Sequence, residues 1–454
     1  MADVFLIADD LTGAADSGVT FAKAGAEVLV SWEAGRLPDA DVVALSSESR
    51  HAPAAEAAAR VEAVITPLEE LLADVHHPWV YKKIDSTLRG HPALELSTLM
   101  AKLGGPPCVL VAPAFPAQGR VTREGTHYVH DLPLADTVFG KEVGTSQVRE
   151  LFMDVVGPDR VCALSLSAVR AGDDALAAHI GAMVRLAASS PCVIVADAVT
   201  ENDLLRLADA ALRCGVRTLC GSAGLAEALA SKLAVVCGWS ERERPIAAAR
   251  RPAAPPSEGS AVLVVAASRH PQTMRQLEAL DEAGFPVVTP HALLGETPAA
   301  AGADGNGGFR EVGGGEASGQ AVLDRAFSAG GLALTTVGLP DMPGQGKPLA
   351  SCLAETAVAL LRSVDASGHR KISGLVLTGG DAAVAVSRAL GARALRLRGE
   401  VAPGLPWGYL VGGMNDRLPF VTKAGGFGEE DALVRAIEFL QGDLASRWLT
   451  EPSR

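Results

Sequence analysis

Val4-Phe5-Leu6-Ile7-Ala8-Asp9-Asp10-Leu11-Thr12-Gly13-Ala14-Ala15-Asp16 is the stretch on which the fold turns. Five apolar residues run without interruption into two carboxylates, and an Ala/Gly-rich segment of helical period starts at once. A short continuous apolar run of this kind reads as a strand buried on both faces, the habit of parallel sheets. The same grammar repeats outward along the chain. Strands are expected at Ala26–Trp32, Val42–Ser46, Trp79–Lys83, Cys108–Ala112, Val161–Ser165, Val193–Ala196 and Val216–Leu219. Helical segments separate them at Ala14–Ala24, Ala54–Leu72, Asp174–Ala187 and Asp203–Arg213. Strands alternating with helices imply an α/β protein built on parallel sheets with helices on the faces.

The rhythm breaks between Gly238 and Gly259, where Ser240-Glu-Arg-Glu-Arg-Pro245 and Arg250-Arg-Pro-Ala-Ala-Pro-Pro-Ser257 are charged and proline-rich. That composition reads as a linker. Alternation resumes with strands at Ala261–Ala266, Leu332–Val337, Gly374–Thr378 and Phe420–Thr422, and with helices from Pro271, at Pro348–Val364 and from Ala382. Two domains are therefore expected, at 1–238 and 260–454, each with a largely parallel sheet flanked by helices, joined by a linker at 239–259. The Gly/Ala-rich interval Gly295–Gly319 reads as a surface excursion.

Composition narrows the function. The 454 residues are 48% apolar and 20% charged, with a net charge of −13. An acidic balance argues against a general nucleic-acid or membrane surface, both of which attract basic faces. A small anionic substrate is compatible with it, and so is a homo-oligomer. The seven cysteines contain no Cys-x-x-Cys pair, which fits a reducing cytoplasm better than a disulfide framework or a zinc site. The Val4–Ala8 run is too short for a secretory signal.

In open parallel sheets ligands sit beyond the carboxyl ends of the strands. Four strands in the first half lead into segments with dense polar groups. Asp9 and Asp10, followed by Thr12, suit orienting a hydroxyl or acting as a base; one of the two is enough to cap the following helix. Lys82-Lys83-Ile84-Asp85-Ser86-Thr87-Leu88-Arg89-Gly90 supplies hydroxyls, a carboxylate and a planar guanidinium for bidentate carboxylate recognition. Alternation sends Lys82 and Lys83 to opposite faces, so only one faces a given wall. Ser49-Arg50 and Gly119-Arg120-Val121-Thr122 add two further arginines. His127 and His130 read as ordinary polar residues, since no carboxylate is spaced with them for a metal.

In the second half, Thr378-Gly379-Gly380-Asp381-Ala382 joins a strand to a helix through a glycine turn, and exposed N–H groups at a helix start favour phosphate. Asp381 either caps that helix or reaches toward a ribose or a magnesium-bound water. Lys423-Ala424-Gly425-Gly426-Phe427-Gly428 places a lysine beside glycines that permit close approach. Ser268, between a strand and the helix from Pro271, binds phosphate or caps. There is no Gly-x-x-x-x-Gly-Lys-Ser/Thr, so the chain is not a P-loop protein.

Taken in order, these segments resemble the four-carbon acid sugar kinase family: Ala8 to Ala14, Ser49-Arg50, Lys82 to Gly90, Pro113 to Pro116 with Gly119 to Thr122, Gly221 to Leu225, Thr378 to Asp381, and Lys423 to Gly428. The resemblance implies an N-terminal sugar-acid domain and a C-terminal nucleotide domain. Such enzymes use ATP to phosphorylate the terminal hydroxyl of threonate, erythronate or 3-oxo-tetronate. By position, Asp9, Asp10, Arg50, Asp85, Ser86 and Arg89 would line the acid pocket, while Ser268, Gly379 to Ala382, Gly425 and Gly428 would contact ATP. The chain departs from the family pattern at Ala267-Ser268-Arg269-His270, usually Gly-Ser-x-Ser, and at Asp381-Ala382, usually Glu-Thr.

The expected mechanism has Arg89 and Arg50 on the carboxylate, helped by Lys82 or Lys83, with Arg120 and Thr12 nearby. Asp85, Asp9 or Asp10 orients or deprotonates the attacking hydroxyl. Magnesium is expected with ATP, and no protein ligand set for it is identifiable. A nucleotide-cofactor oxidoreductase and a non-catalytic sugar-acid sensor are the alternatives.

Overall fold

The first strand, β1 (Val4–Ala8), is buried along its whole length, as its unbroken apolar run requires. The computed structural model describes residues 2–33, 39–69, 78–104, 108–187, 191–239, 241, 259–290, 293, 319–337, 349–367 and 370–442. The expected linker at 239–259 and the interval Gly295–Gly319 lie almost wholly outside the described residues. The chain divides into two compact units, Met1–Glu243 and Arg244–Arg454.

The first unit adds β2 (Val28–Ser31), β3 (Val42–Ser46), β4 (Trp79–Lys83), β5 (Cys108–Ala112), β6 (Arg120–Arg123), β7 (Thr126–Val129), β8 (Leu132–Pro133), β9 (Val161–Leu164), β10 (Cys192–Ala196) and β11 (Thr218–Gly221). With β1, seven of these form a sheet in the order β2-β3-β1-β4-β11-β5-β10-β9, parallel throughout. The order in which strands are added reverses beside β1: β2 and β3 lie to one side, and β4 opens the other. Such a switch point is where α/β sheets hold ligands.

Register brings the relevant strand ends level. Ala8 of β1 sits opposite Ser46 of β3 and Lys83 of β4, Gly221 of β11 opposite Lys83 and Ala112 of β5. The loops that follow therefore leave from one edge. Phe5, Ile7, Leu45, Val80, Leu96 and Leu99 belong to the core beneath them. Each fully buried side chain of that size contributes about 1.5–3 kcal/mol.

The small strands β6, β7 and β8 were not expected. They form a separate antiparallel sheet. Two-residue turns join them at Glu124-Gly125 (φ 52° and 75°) and His130-Asp131 (φ 48° and 65°). Paired positive φ values are the mark of tight hairpins, but three of these four residues lack the Asn/Gly chemistry that announces them.

The second unit contains β12 (Ser260–Ala266), β13 (Val287–Val288), β14 (Gly331–Thr335), β15 (Lys371–Thr378), β16 (Ala394–Glu400), β17 (Pro406–Val411) and β18 (Pro419–Lys423). The order is β13-β14-β12-β15-β18-β17-β16. The first five are parallel, and β17 runs antiparallel to both of its neighbours. Ala266, Thr335, Thr378 and Lys423 end level with one another.

Candidate active site

Asp9 and Asp10 leave β1 with different tasks. Asp10 caps the helix Leu11–Lys23: its Oδ1 accepts from the Gly13 N–H at 2.8 Å and its Oδ2 from the Thr12 hydroxyl at 2.7 Å. A cap of this kind is worth about 1 kcal/mol. Asp9, 2% exposed, is gripped by Arg50, which donates from Nε and Nη2 to its two oxygens, both at 2.8 Å. The remaining Arg50 nitrogen, Nη1, reaches Asp10 Oδ2 at 2.6 Å. Burial pushes the Asp9 carboxyl up, but Arg50, together with Lys82 and Lys83, holds the group below the usual aspartate value.

Asp85 is organised in the same way. Arg89 Nε and Nη2 donate to its Oδ2 and Oδ1 at 2.8 and 3.1 Å, and the Thr87 hydroxyl donates to Oδ2. Burial again opposes ionisation, and Arg50 together with Arg89 drives the carboxyl well below the ordinary range. The loop itself is tight: Leu88 (φ 59°) and Gly90 (φ 80°) are left-handed.

The two lysines of β4 part company. Lys82, fully buried, pairs with Glu95 at 2.7 Å. Lys82, expected to help bind the substrate carboxylate, thus has its ammonium engaged by Glu95. Glu95 also accepts from the Ser49 hydroxyl at 2.7 Å, Ser49 meets Ser47 at 2.8 Å, and Ser47 donates to the Ala8 carbonyl at 2.9 Å. This chain ties the loops after β1 and β3 to the helix Pro92–Lys102.

Lys83 points the other way. A Cβ placed on Gly13 would lie 2.5 Å from Asp10 Oδ1, 3.1 Å from Lys83 Nζ and 3.6 Å from Arg50 Nη2. Three charged groups from three strand ends therefore meet at a glycine that leaves room for them. Arg120 stands within electrostatic reach of Asp85 and Arg89; burial lowers its guanidinium's pKa. Its Nη1 donates to the Gln118 carbonyl, and its buried Nε has no partner among the described residues. Neither Lys83 nor Arg120 makes an ion pair among the described residues.

The second unit gathers the expected nucleotide residues. A Cβ on Gly425 would fall 2.0 Å from Ser268 Oγ, and Gly379 (φ 94°) lies beside Ser268. Gly379 N donates to the Lys423 carbonyl at 3.1 Å. Lys423 Nζ donates to Thr378 Oγ1 at 3.1 Å and to the Gly425 carbonyl at 3.3 Å, and burial pushes its ammonium pKa down to about 7.

Gly428 ends this loop, its carbonyl accepting from Gln272 Nε2 at 2.8 Å. Ser268 accepts from the His270 N–H at 3.3 Å, while His270 itself caps the helix Pro271–Glu282, so the capping alternative for Ser268 is set aside. Gly379 occupies the cap position of the helix Gly380–Ala389 without a side-chain bond, and Asp381 is exposed in its first turn; Asp381 therefore does not cap. Ala382 is buried, so only its backbone can meet a ligand.

Several residues that shape these loops escaped sequence reasoning. Glu95 and Gln276 occupy core-facing positions of their helices, among Leu96 and Leu99 and beside Leu277 and Leu280. A polar residue on an apolar stripe was the available signal. Gln276 Nε2 donates to the carbonyls of Phe427, Gly428 and Glu429 at 2.8–3.1 Å, and Thr273 to that of Gly425 at 2.8 Å. His127 proves to be buried against the Asp85 loop.

Residues 4–229 match a family model described as a sugar-binding N-terminal domain, and residues 263–433 one described as a nucleotide-binding C-terminal domain. A D-threonate kinase of Cupriavidus necator is 35% identical over 449 residues, covering 95% of this chain and 96% of that protein. The chain belongs to the four-carbon acid sugar kinase family. A D-erythronate kinase of Heliobacterium modesticaldum is 30% identical over 456 residues, covering 97% of each chain. The solved structure of a Haemophilus influenzae protein superposes with a TM-score of 0.67 at 19% identity, covering 96% of this chain and 99% of that one, which shows the shared fold. As a member of this kinase family the chain is an enzyme that takes a nucleotide. Neither an oxidoreductase nor a sensor is favoured. No helix among the described residues is long and apolar enough to cross a membrane.

Proposed function

We propose that this four-carbon acid sugar kinase transfers the γ-phosphate of ATP to the terminal hydroxyl of a threonate-like acid, with residues 1–238 holding the acid and 260–454 the nucleotide. The observation that carries the acid assignment is the meeting of Lys83, Asp10 and Arg50 around Gly13. Arg50 and Arg89 already have their forks filled by aspartates. Lys83 and Arg120 have no such partners among the described residues, so a substrate carboxylate meets these two first. The arginines then keep Asp9 and Asp85 charged and aimed. Phosphoryl transfer demands mostly alignment and charge compensation, so a carboxylate that orients the hydroxyl is sufficient.

For the nucleotide, the glycine-to-Ser268 contact is a cradle that any Cβ at residue 425 would fill. Ser268, the N–H groups at Gly379 to Ala382 and the Lys423 ammonium would receive phosphate oxygens, with Gly428 keeping the loop open. Magnesium would arrive with the nucleotide; among the described residues no group of three or more His, Cys, Asp or Glu is placed to hold a metal. Bound to the phosphates it would neutralise charge, with the exposed Asp381 available to one of its waters. D-threonate is the first acid to test, because relatives at 35% identity carry that name. ADP release against a panel of four-carbon acids tests the reading; no release with any of them overturns it.

A further inference from the structure

Three residues of the segment that follows β5 hold the Asp85–Gly90 loop from outside. His127 Nε2 lies 2.8 Å from the Ser86 carbonyl, Arg89 sits over the Phe139 ring at 5.3 Å, and Glu142 Oε1 accepts from the Gly90 N–H at 3.1 Å. His127 is the innermost of these, with no exposed surface. A carbonyl can only accept, so Nε2 carries the proton. Nδ1 is then the acceptor for the Thr122 hydroxyl at 3.0 Å. Thr122 is itself buried and fixed by β6, where its backbone pairs with His127. The Ser86 carbonyl thus fixes the tautomer, and the Thr122 hydroxyl holds the ring angle. Burial keeps the imidazole neutral by pushing its pKa down to about 4.

The Ser86 carbonyl belongs to the peptide between Ser86 and Thr87, and the Thr87 N–H and hydroxyl both point at Asp85. Rotating that peptide would turn the Thr87 N–H away from the carboxylate and disturb the turn that leads into the left-handed Leu88.

We propose that His127 is a positioning residue for the acid substrate: its Nε2–H fixes the Ser86–Thr87 peptide and, through it, the Asp85 carboxylate. The proposal rests on the Asp85 loop being the acid-binding loop. Since misplacement of a reacting group by about 1 Å can cost about a hundredfold, removing the donor should lower kcat/KM for the acid by about ten- to a hundredfold while KM for ATP stays within about twofold.

The experiment compares wild type, His127→Leu, His127→Gln and Thr122→Val in steady-state ADP-release assays, with thermal unfolding recorded for each. A glutamine side chain keeps an amide donor near the Nε2 position, so His127→Gln should recover most of what His127→Leu loses. Thr122→Val, which removes the hydroxyl that holds Nδ1 and so loosens the ring angle, should fall between them. If His127→Leu unfolds, the other two variants carry the test. Equal acid kinetics in all folded variants would overturn the positioning role. Equal losses of KM for acid and for ATP, without rescue by His127→Gln, would mark a purely structural residue and overturn it as well. A wild-type protein from which no four-carbon acid elicits ADP would instead sink the underlying site assignment, a separate outcome.

Discussion

Arg50 closes on Asp9 as a two-pronged fork, both contacts at 2.8 Å, and its last nitrogen reaches Asp10 at 2.6 Å. One guanidinium thus locks the end of β1 to the loop after β3, and only a planar group with several donors can do so.

Removing it leaves Asp9 buried without its counter-charge. Arg50→Met should lose about 3–5 kcal/mol of stability near neutral pH, the usual consequence of orphaning a buried charge. The pH sign follows from Asp9 and Asp85, whose carboxyls are held below the ordinary aspartate value of 3.8. A depressed pKa contributes stability that is present above the unfolded value and fades as pH falls through the folded one. Wild type therefore has a benefit that the variant lacks, widest at neutral pH and shrinking below about pH 4. Urea titrations at pH 7 and pH 3.5 measure the gap; a gap that does not narrow contradicts the assignment.

Asp85→Asn keeps the shape of the side chain but removes the charge that Arg89 holds and that would orient the hydroxyl. Turnover should fall by about 10²–10⁴-fold, with nucleotide affinity unchanged because Ser268 and Gly425 belong to the other unit. Single-turnover rates alongside calorimetric ATP binding check both halves of the statement.

Two alanine substitutions should separate the ligands. At Gly13 a methyl group meets Asp10 Oδ1 at 2.5 Å and Lys83 Nζ at 3.1 Å; at Gly425 it meets Ser268 Oγ at 2.0 Å. Gly13→Ala is expected to raise KM for the acid about tenfold or more, and Gly425→Ala to do the same to KM for ATP, each leaving the other constant within about twofold. Crossed effects would reverse the assignment of the two halves.

The strand ends were legible because parallel strands buried on both faces leave long apolar runs that stop at polar or glycine-rich loops. Val4–Ala8 before Asp9 and Gly374–Thr378 before Gly379 show this directly. Side-chain partnerships were not legible. Alternation places Lys82 and Lys83 on opposite faces but does not say which face holds Glu95, a pairing that depends on how the helix Pro92–Lys102 docks. The hairpins carrying Arg120 and His127 escaped because strands of two to four residues with mixed burial leave almost no periodic trace. His127 read as ordinary until its ring was seen against Ser86.

Lys423 should make nucleotide binding a proton-linked event. Burial lowers its ammonium pKa to about 7 from 10.5, and a phosphate at Nζ would restore the charge. At about pH 8.5, binding should take up close to one proton per site, read from calorimetric enthalpies in buffers of different ionisation heat. Lys423→Met should bind more weakly and take up none. The same shift gives stability a sign: the unfolded lysine holds its proton up to 10.5, so wild-type stability rises from about pH 7 toward that value and the variant lacks this rise.

Lys82 and Glu95 test whether a buried pair serves stability or arrangement. Each alone is costly to leave: Lys82→Met strands a carboxylate and Glu95→Leu an ammonium, both fully enclosed, and each should lose about 3–5 kcal/mol. The double variant removes both charges, so its stability should return to within about 1–2 kcal/mol of wild type. Activity should not return with it. Glu95 also accepts from Ser49, whose neighbour Ser47 is bonded to the Ala8 carbonyl, and leucine offers no acceptor to hold the Arg50 loop against β1. A double variant that is stable but impaired in acid KM separates placement from stability; one that recovers both would show the pair to be replaceable packing.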